Sequence, residues 1–395
     1  MPSSYFQLHE FTLKAGGKEL RVISKPGFAT WERMPVAVSL LSEAVEVQPA
    51  VDVKPGSRVL IFSGGPWAAA LVAGLYPEGS WLVLTDNNWI ALNMARRTLE
   101  MNQMSCAQIS QEIELASSDY ATFDSAWMVL PKGRGLARRW LLQAWLALKE
   151  GGELYLAGAR DSGVKSAIND AADLFCGSAV LLYKKGNRVA RLVRKAASPT
   201  LPDWANEPGI APGSWIEFTV QARDTKLTLR SLPGVFSADR LDEGTGLLLE
   251  NLPHTISGRI LDMGCGSGVI GLCAALSGAS TVDMVDADLL AVASAQENIR
   301  RNHIPNASAS AMDIGPQNEH YNLILSNPPF HAGKQVDFRI AEAFVEYAEK
   351  ALLPGGRLRI VANRFIPYDD LIQRVFGEVR LVAKTNQFWV LEGIK

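Results

Sequence analysis

The chain carries one ordered series of elements twice, and this internal duplication constrains the fold more than any single motif. The first series opens on the alternating segments Phe11-Thr-Leu-Lys14 and Glu19-Leu-Arg-Val-Ile23, followed by Lys25-Pro-Gly-Phe-Ala-Thr30. Ile216-Glu-Phe-Thr-Val220, Lys226-Leu-Thr-Leu-Arg230 and Leu232-Pro-Gly-Val-Phe-Ser237 repeat it, and each set reads as a hairpin leading into a turn. An apolar run ending in glycines comes next, Val59 to Gly65 and then Ile260 to Gly268, each before a helical stretch of small residues. Strand, glycine turn and helix together open a doubly wound sheet. A second apolar run ends in an acid in both copies, at Asp86 and Asp286, with helices of equal length behind it at 89–102 and 289–302. Third strands (126–132 and 323–329), fourth strands (149–156 and 353–360) and closing hairpins (181–192 and 381–391) also correspond. The expected fold class is α/β, with two tandem Rossmann-like domains over residues 1–195 and 216–395. Residues 196–215, rich in proline, alanine and glycine, read as a linker.

The bulk numbers agree with two cores. The 395 residues exceed what one core usually supports, and 48% hydrophobic with 20% charged residues is ordinary for a soluble chain. No stretch approaches a membrane span and the N-terminus lacks a signal-peptide layout, so a cytoplasmic protein with no membrane partner is expected. The four cysteines (Cys106, Cys176, Cys265, Cys273) are scattered, which argues against disulfides and a zinc site. A net charge of −2 does not mark a DNA-binding protein, so any RNA contact must be local. Two basic stretches offer one: Lys132, Arg134, Arg138 and Arg139, and Lys184, Lys185, Arg188, Arg191, Arg194 and Lys195. Solvated faces of a helix and a hairpin explain both equally well.

The second copy gathers chemistry-bearing residues at strand ends. Gly264, Gly266 and Gly268 let the backbone turn sharply and bring a ligand near the following helix. Asp262 suits a cationic amino group or an ordered water, and Asp286 suits a ribose diol, whose two hydroxyls donate to one carboxylate. These residues alone fit a nicotinamide enzyme as well as a methyltransferase. Asn327-Pro-Pro-Phe330, at the carboxyl edge of the next strand, separates the two. An exocyclic amine is a poor nucleophile because its lone pair is delocalised into the ring. The Asn327 amide oxygen and the Pro328 carbonyl, held by Pro329, can accept its two hydrogens and aim the lone pair at the methyl of S-adenosylmethionine. Phe330 offers a face for a base removed from its helix. That donor carries its own leaving group, so no metal is expected. Asp313, after a further strand, is a candidate partner for the adenine amine, or else a surface turn.

Gly234-Val-Phe-Ser237, Leu241-Asp-Glu-Gly244, Asp262 to Gly268, Ser326-Asn-Pro-Pro-Phe-His331 and Ile360-Val-Ala-Asn-Arg364 together resemble the bacterial ribosomal-RNA guanine-N2 methyltransferases of the small-subunit and large-subunit types. The resemblance covers nearly the whole chain. It implies two class I methyltransferase domains, only the second of which binds S-adenosylmethionine and releases S-adenosylhomocysteine, with ribosomal RNA or a ribosomal subunit precursor as partner. Candidate cofactor contacts are then Asp262, Gly264, Gly266, Gly268, Asp286, Asp313 and Asn327, and candidate substrate contacts are Phe236, Phe330 and His331. His331 is equally suited to capping a loop. Val361-Ala-Asn-Arg364 and Thr385-Asn-Gln-Phe388 look closer to the large-subunit type, and Arg240 departs from the glycine the family places before Leu-Asp.

The first copy is expected to be silent. Phe62 is read in the place of Asp262, Gly64-Gly-Pro66 replaces the three-glycine loop, and Pro131-Lys132 replaces Asn-Pro-Pro-Phe. Its role would be a scaffold that contacts RNA through Lys184, Lys185, Arg188 and Arg191. Asp86 survives there, so Asp286 has a competing role as a helix cap. The many tryptophans of this half read as core, and Cys265 as a loop filler. Two other functions compete: methylation of a protein glutamine amide, which presents the same nucleophile geometry, and a non-catalytic RNA-binding or assembly module.

Overall fold

The computed structural model describes residues 4–47, 54–105, 107–195, 200–222, 225–329 and 338–395. They form two compact units, one of Leu8–Trp215 and one of Ile216–Lys395 together with Met1–Gln7.

In the first unit the hairpin β1 (His9–Ala15) and β2 (Lys18–Ser24) precedes α1 (Val36–Val47). Then follow β3 (Arg58–Phe62), α2 (Gly65–Leu75), β4 (Trp81–Thr85), α3 (Trp89–Met101), β5 (Ala107–Ser110), β6 (Phe123–Val129), α4 (Arg134–Ala147), β7 (Leu148–Ala159), α5 (Val164–Phe175), β8 (Ala179–Lys184) and β9 (Asn187–Val193). The seven-stranded sheet runs β5-β4-β3-β6-β7-β9-β8, parallel until β9 turns antiparallel. Helices cover both faces, which is why β3 is apolar at successive positions, with Val59, Leu60, Ile61 and Phe62 all buried.

The second unit repeats this with β10 (Ile216–Ala222), β11 (Thr225–Ser231), α6 (Glu243–Glu250), β12 (Arg259–Met263), α7 (Val269–Leu276), β13 (Thr281–Asp286), α8 (Leu289–Arg301), β14 (Ala307–Ala311), β15 (Tyr321–Ser326), α9 (Phe338–Ala351), β16 (Leu352–Asn363), α10 (Tyr368–Phe376), β17 (Arg380–Lys384) and β18 (Phe388–Ile394). Its sheet runs β14-β13-β12-β15-β16-β18-β17, the same topology position for position. Even the irregularities recur, at Phe123/Ser125 and Tyr321/Leu323, and at Val180/Leu182 and Leu381/Ala383.

Pairing register corrects one sequence alignment. Arg58 pairs Trp81 as Arg259 pairs Thr281, so Ile61, and not Phe62, stands in the place of Asp262. Ser63 alone separates β3 from Gly64, the cap of α2, whereas Gly264, Cys265, Gly266 and Ser267 separate β12 from the equivalent cap Gly268. A gap-free reading of the two strands cannot see that deletion.

The division of the chain also differs from the expected linker. Within the first unit, residues 200–215 are packed and not free: Trp204 and Ile210 are buried, Arg138 pairs with Glu207 at 2.6 Å, and Arg139 donates to the Gly209 carbonyl at 2.7 Å. Conversely, the first residues join the second unit, where Tyr5 is buried in the core with Ile314 and Phe344.

Candidate functional site

The site lies at the carboxyl ends of the parallel strands of the second unit, where strand-end loops converge. Neighbouring β12 and β15 are pinned together there by the Ser326 hydroxyl, which donates to the Met263 carbonyl at 2.5 Å. Gly264, Gly266 and Gly268 all have left-handed backbones, at φ 75°, 54° and 87°, which side chains resist. The Gly264 and Cys265 N–H groups both donate to the Val285 carbonyl, and Gly266 N–H donates to Asp286 Oδ2 at 2.9 Å. The loop is thus fastened to the end of β13. A Cβ at Gly266 would meet no atom within 4 Å, and one at Gly264 would meet only the Phe344 ring, at 3.8 Å. This backbone cradle has room for a ligand.

Both acids are shaped by burial. Asp262 is fully buried, with Oδ2 accepting from Gly271 N–H at 2.8 Å and Oδ1 lacking a hydrogen-bond partner among the described residues. Loss of water pushes its carboxyl up to about 7, with the Gly271 N–H acting in the opposite sense and the Asp286 charge adding to the rise. A positively charged group nearby would restore its ionised form. Asp286 is likewise raised by burial, against the N–H groups of Asp288 and Gly266 that its two oxygens accept. With the Ala287 N–H also bonded to it, the carboxylate caps the turn before α8 and ties the glycine loop. Cys265 is buried and its thiol is pushed up, which suits a filler and not a nucleophile.

Asn327 leaves the end of β15 with its amide held in one orientation. Its Nδ2 donates to Thr245 Oγ1 at 2.8 Å and to Asp242 Oδ2 at 3.1 Å. Asp242 is also the N-cap of α6, accepting from Thr245 N–H at 3.0 Å. A carboxylate only accepts, so the amide nitrogen must face it and Oδ1 must face away. That Oδ1 is buried and has no hydrogen-bond partner among the described residues. Pro328 is buried beside it and Pro329 is exposed. Phe330 and His331 lie outside the described residues.

The family model of the Methyltransferase small domain matches residues 226–392. The ribosomal RNA small subunit methyltransferase C of Psychromonas ingrahamii is 35% identical over 277 residues, covering 69% of this chain and 76% of that protein. Its counterpart from Hahella chejuensis is 33% identical over 342 residues, covering 86% and 94%. The chain belongs to the ribosomal RNA small subunit methyltransferase C family. A solved member, the T. thermophilus 16S rRNA N2 G1207 methyltransferase (RsmC) in complex with AdoMet and guanosine, superposes with a TM-score of 0.80 at 29% identity over 99% of both chains. These relatives are of the small-subunit type, so the leaning of Val361-Ala-Asn-Arg364 and Thr385-Asn-Gln-Phe388 towards the large-subunit type is overturned.

The remaining candidates of this family member fall in varied places. Asp313 Oδ1 accepts from the Tyr5 hydroxyl, a partner 308 residues away that no sequence pattern signals. Asp242 was legible only as part of Leu241-Asp-Glu-Gly244 and Thr245 not at all, while Arg240 is exposed and pairs with Asp239 at 3.6 Å. Phe236 is 60% exposed, on the turn before α6.

Of the basic candidates, Arg191 is tied to buried Glu153, whose hydrogen bond raises the guanidinium further, so it serves the sheet. Lys184 lies 3.2 Å from Glu43, while Arg188 stacks on Tyr183 at 5.2 Å and Lys185 occupies the hairpin turn. Three residues of the earlier basic stretch are in ion pairs, Arg134 and Arg138 with Asp170 and Arg139 with Glu114, while Lys132 is exposed. Trp67, Trp127, Trp140 and Trp145 are core, while Trp81 is half exposed.

Proposed function

We propose that this protein transfers a methyl group from S-adenosylmethionine to the exocyclic N2 amine of a guanine in small-subunit ribosomal RNA, using Asn327 of the second unit to hold the amine. The observation that carries the assignment of Asn327 is its locked amide, with the nitrogen committed to Asp242 and Thr245 and a buried oxygen without a hydrogen-bond partner among the described residues. An unpaired buried acceptor is costly, and an amine presented to it removes that cost. The cofactor, when bound, supplies an electrophilic methyl already joined to a leaving group.

The chain's own work is then positional. The glycine loop gives backbone access, Asp286 offers lone pairs to a ribose, and Asp262 offers a buried negative charge to a cationic ligand. Asn327 Oδ1 and the Pro328 carbonyl accept the two amine hydrogens, which draws the nitrogen toward a tetrahedral form with its lone pair directed at the methyl carbon. Phe236, with Phe330 and His331, is assigned to the target base, and Lys185 and Arg188 of the first unit to phosphates. Asp313, held by Tyr5, is assigned to the adenine amine. The substrate is ribosomal RNA or a subunit precursor, so the setting is the cytoplasm.

Asn327→Ala should keep S-adenosylmethionine affinity near the parent's and slow transfer to small-subunit RNA by roughly 10²-fold or more, the scale of one lost preorganised acceptor. Asp242→Ala should reproduce part of that loss in kcat by freeing the Asn327 amide to turn. Near-parental turnover of Asn327→Ala, with the product confirmed as N2-methylguanosine by nucleoside mass spectrometry, would place the amine elsewhere.

A further inference from the structure

The same carboxyl edge carries a second aromatic surface one strand further along. β16 lies beside β15, with Ile360 paired to Ser326, and ends at Asn363. Just beyond it, Phe365 is 77% exposed, and the Arg364 guanidinium sits 4.9 Å from the centre of its ring. Arg364 is exposed and forms no ion pair among the described residues. The pair is rigidly mounted: Arg364 N–H donates to the Gln387 carbonyl at 2.9 Å, and Phe365 N–H donates to Asn363 Oδ1 at 3.1 Å.

The duplicate supplies the comparison. Ala159 closes β7 opposite Asn187 as Asn363 closes β16 opposite Phe388, and Arg160 N–H donates to the Gly186 carbonyl as Arg364 does to Gln387. Arg160 and Asp161 of the first unit are therefore the structural equivalents of Arg364 and Phe365. The turn alone tolerates an aspartate, so packing of the turn does not demand an exposed aromatic ring. At Phe236 the pattern repeats, since Ala29 is its equivalent on the turn after β2. Both exposed aromatics occur in the unit with the open cradle.

We propose that Phe365 and Arg364 form a platform for a nucleobase next to the target guanine in the RNA strand, the ring stacking on the base and the guanidinium meeting its phosphate. This rests on the reading of the site as an RNA guanine methyltransferase. An exposed cation, without an ion pair among the described residues, beside an exposed ring matches the chemistry of single-stranded RNA, which offers a π-face and an anion at each step. It would steady a strand whose target base has been drawn into the site.

The test uses the full chain and an RNA oligonucleotide spanning the guanine that the parent methylates, with an abasic residue placed on either side of that guanine in turn. Phe365→Ala and Phe365→Leu should each lower kcat/KM by about tenfold, mainly through KM, the scale of one lost base–aromatic stack, and Phe365→Trp should restore it. An abasic residue on one side only should weaken the parent as much and leave Phe365→Ala no worse. Arg364→Ala should flatten the salt dependence of binding by about one phosphate contact. Cofactor affinity and Tm should not move. Phe365→Ala within twofold of an active parent, or Phe365→Leu as good as the parent, overturns the platform alone. A dimeric parent that Phe365→Ala converts to monomers overturns it in favour of a protein interface, and a parent inactive on all ribosomal RNA overturns the underlying reading with it.

Discussion

The turn after the first hairpin points an aromatic ring in opposite directions in the two units. Phe28 is buried, 3.6 Å from where a Cβ of Gly65 would stand, and Ala29 follows it; in the second unit Val235 is buried and Phe236 projects outward. The first unit closes its strand end in other ways too. Ile61 fills the place of Asp262, and Trp67 is buried, donating its Nε1–H to the Thr30 carbonyl at 3.1 Å and packing against Phe11. Burying an aromatic or aliphatic side chain contributes about 1.5–3 kcal/mol, whereas a buried carboxylate with an unpaired oxygen costs free energy. The first unit fills its strand end with apolar side chains, whereas the second leaves an open backbone cradle and, among the described residues, buried acceptors without a hydrogen-bond partner. Identical topology is therefore no guide to which unit works.

The largest expected effect tests that contrast directly. Calorimetry should show one S-adenosylmethionine per chain, and Gly266→Leu should abolish it, because leucine is strained at φ 54° and its side chain enters the open space of the cradle. Retention of one site by that variant would mean that the first unit binds, and a stoichiometry of two would mean that both do.

Proton linkage sharpens the contrast between Asp262 and Ile61. Since burial holds the Asp262 carboxyl at about 7 in the ligand-free protein and a cationic ligand favours its ionised form, affinity should rise as pH increases through 7 and level off above it. The slope is at most tenfold per pH unit for one proton. Asp262→Asn should bind weakly with a flat profile. Stability follows the opposite course: because the folded value is raised above the ordinary aspartate value, this residue's contribution is fully present below about pH 4 and is lost as pH rises through 7. Asp262→Asn should accordingly narrow the ligand-free Tm difference between pH 5 and pH 8.

The smallest effect concerns the first unit's part in binding. Replacing Lys185 and Arg188 by alanine should flatten the salt dependence of RNA binding by about two units with Tm unchanged. Arg191→Ala should instead lower Tm, since it strands the buried Glu153 carboxylate. An unchanged salt slope in the double variant would leave the first unit without a phosphate-contacting role at this hairpin.

Much of the molecule was legible in the sequence because its signals are periodic and local. Hairpins, apolar strands with glycine turns, acids at strand ends and Asn327-Pro-Pro-Phe330 each occupy a few adjacent residues, and their order defines the sheet. The misreadings came where register or distance decides. Placing Phe62 opposite Asp262 ignored a loop that is shorter by three residues, and the linker composition of 196–215 does not show that Arg138 and Arg139 hold its residues Glu207 and Gly209. Arg191 reads as an RNA contact in the sequence because its partner, Glu153, sits on the adjacent strand but 38 residues earlier in the chain.

The sequence by itself determined that this chain is a duplicated α/β protein with one chemically equipped half, because strand order and the spacing of glycines and acids follow from short-range sterics and hydrophobic periodicity. Only the tertiary structure decided how that half is aimed. The amide of Asn327 acquires a direction from Asp242 and Thr245, 85 and 82 residues earlier in the chain. Burial moves Asp262, and Tyr5 reaches Asp313 across 308 residues. Hydrogen-bond direction and desolvation depend on which groups meet in space, and no local pattern in the chain encodes those meetings.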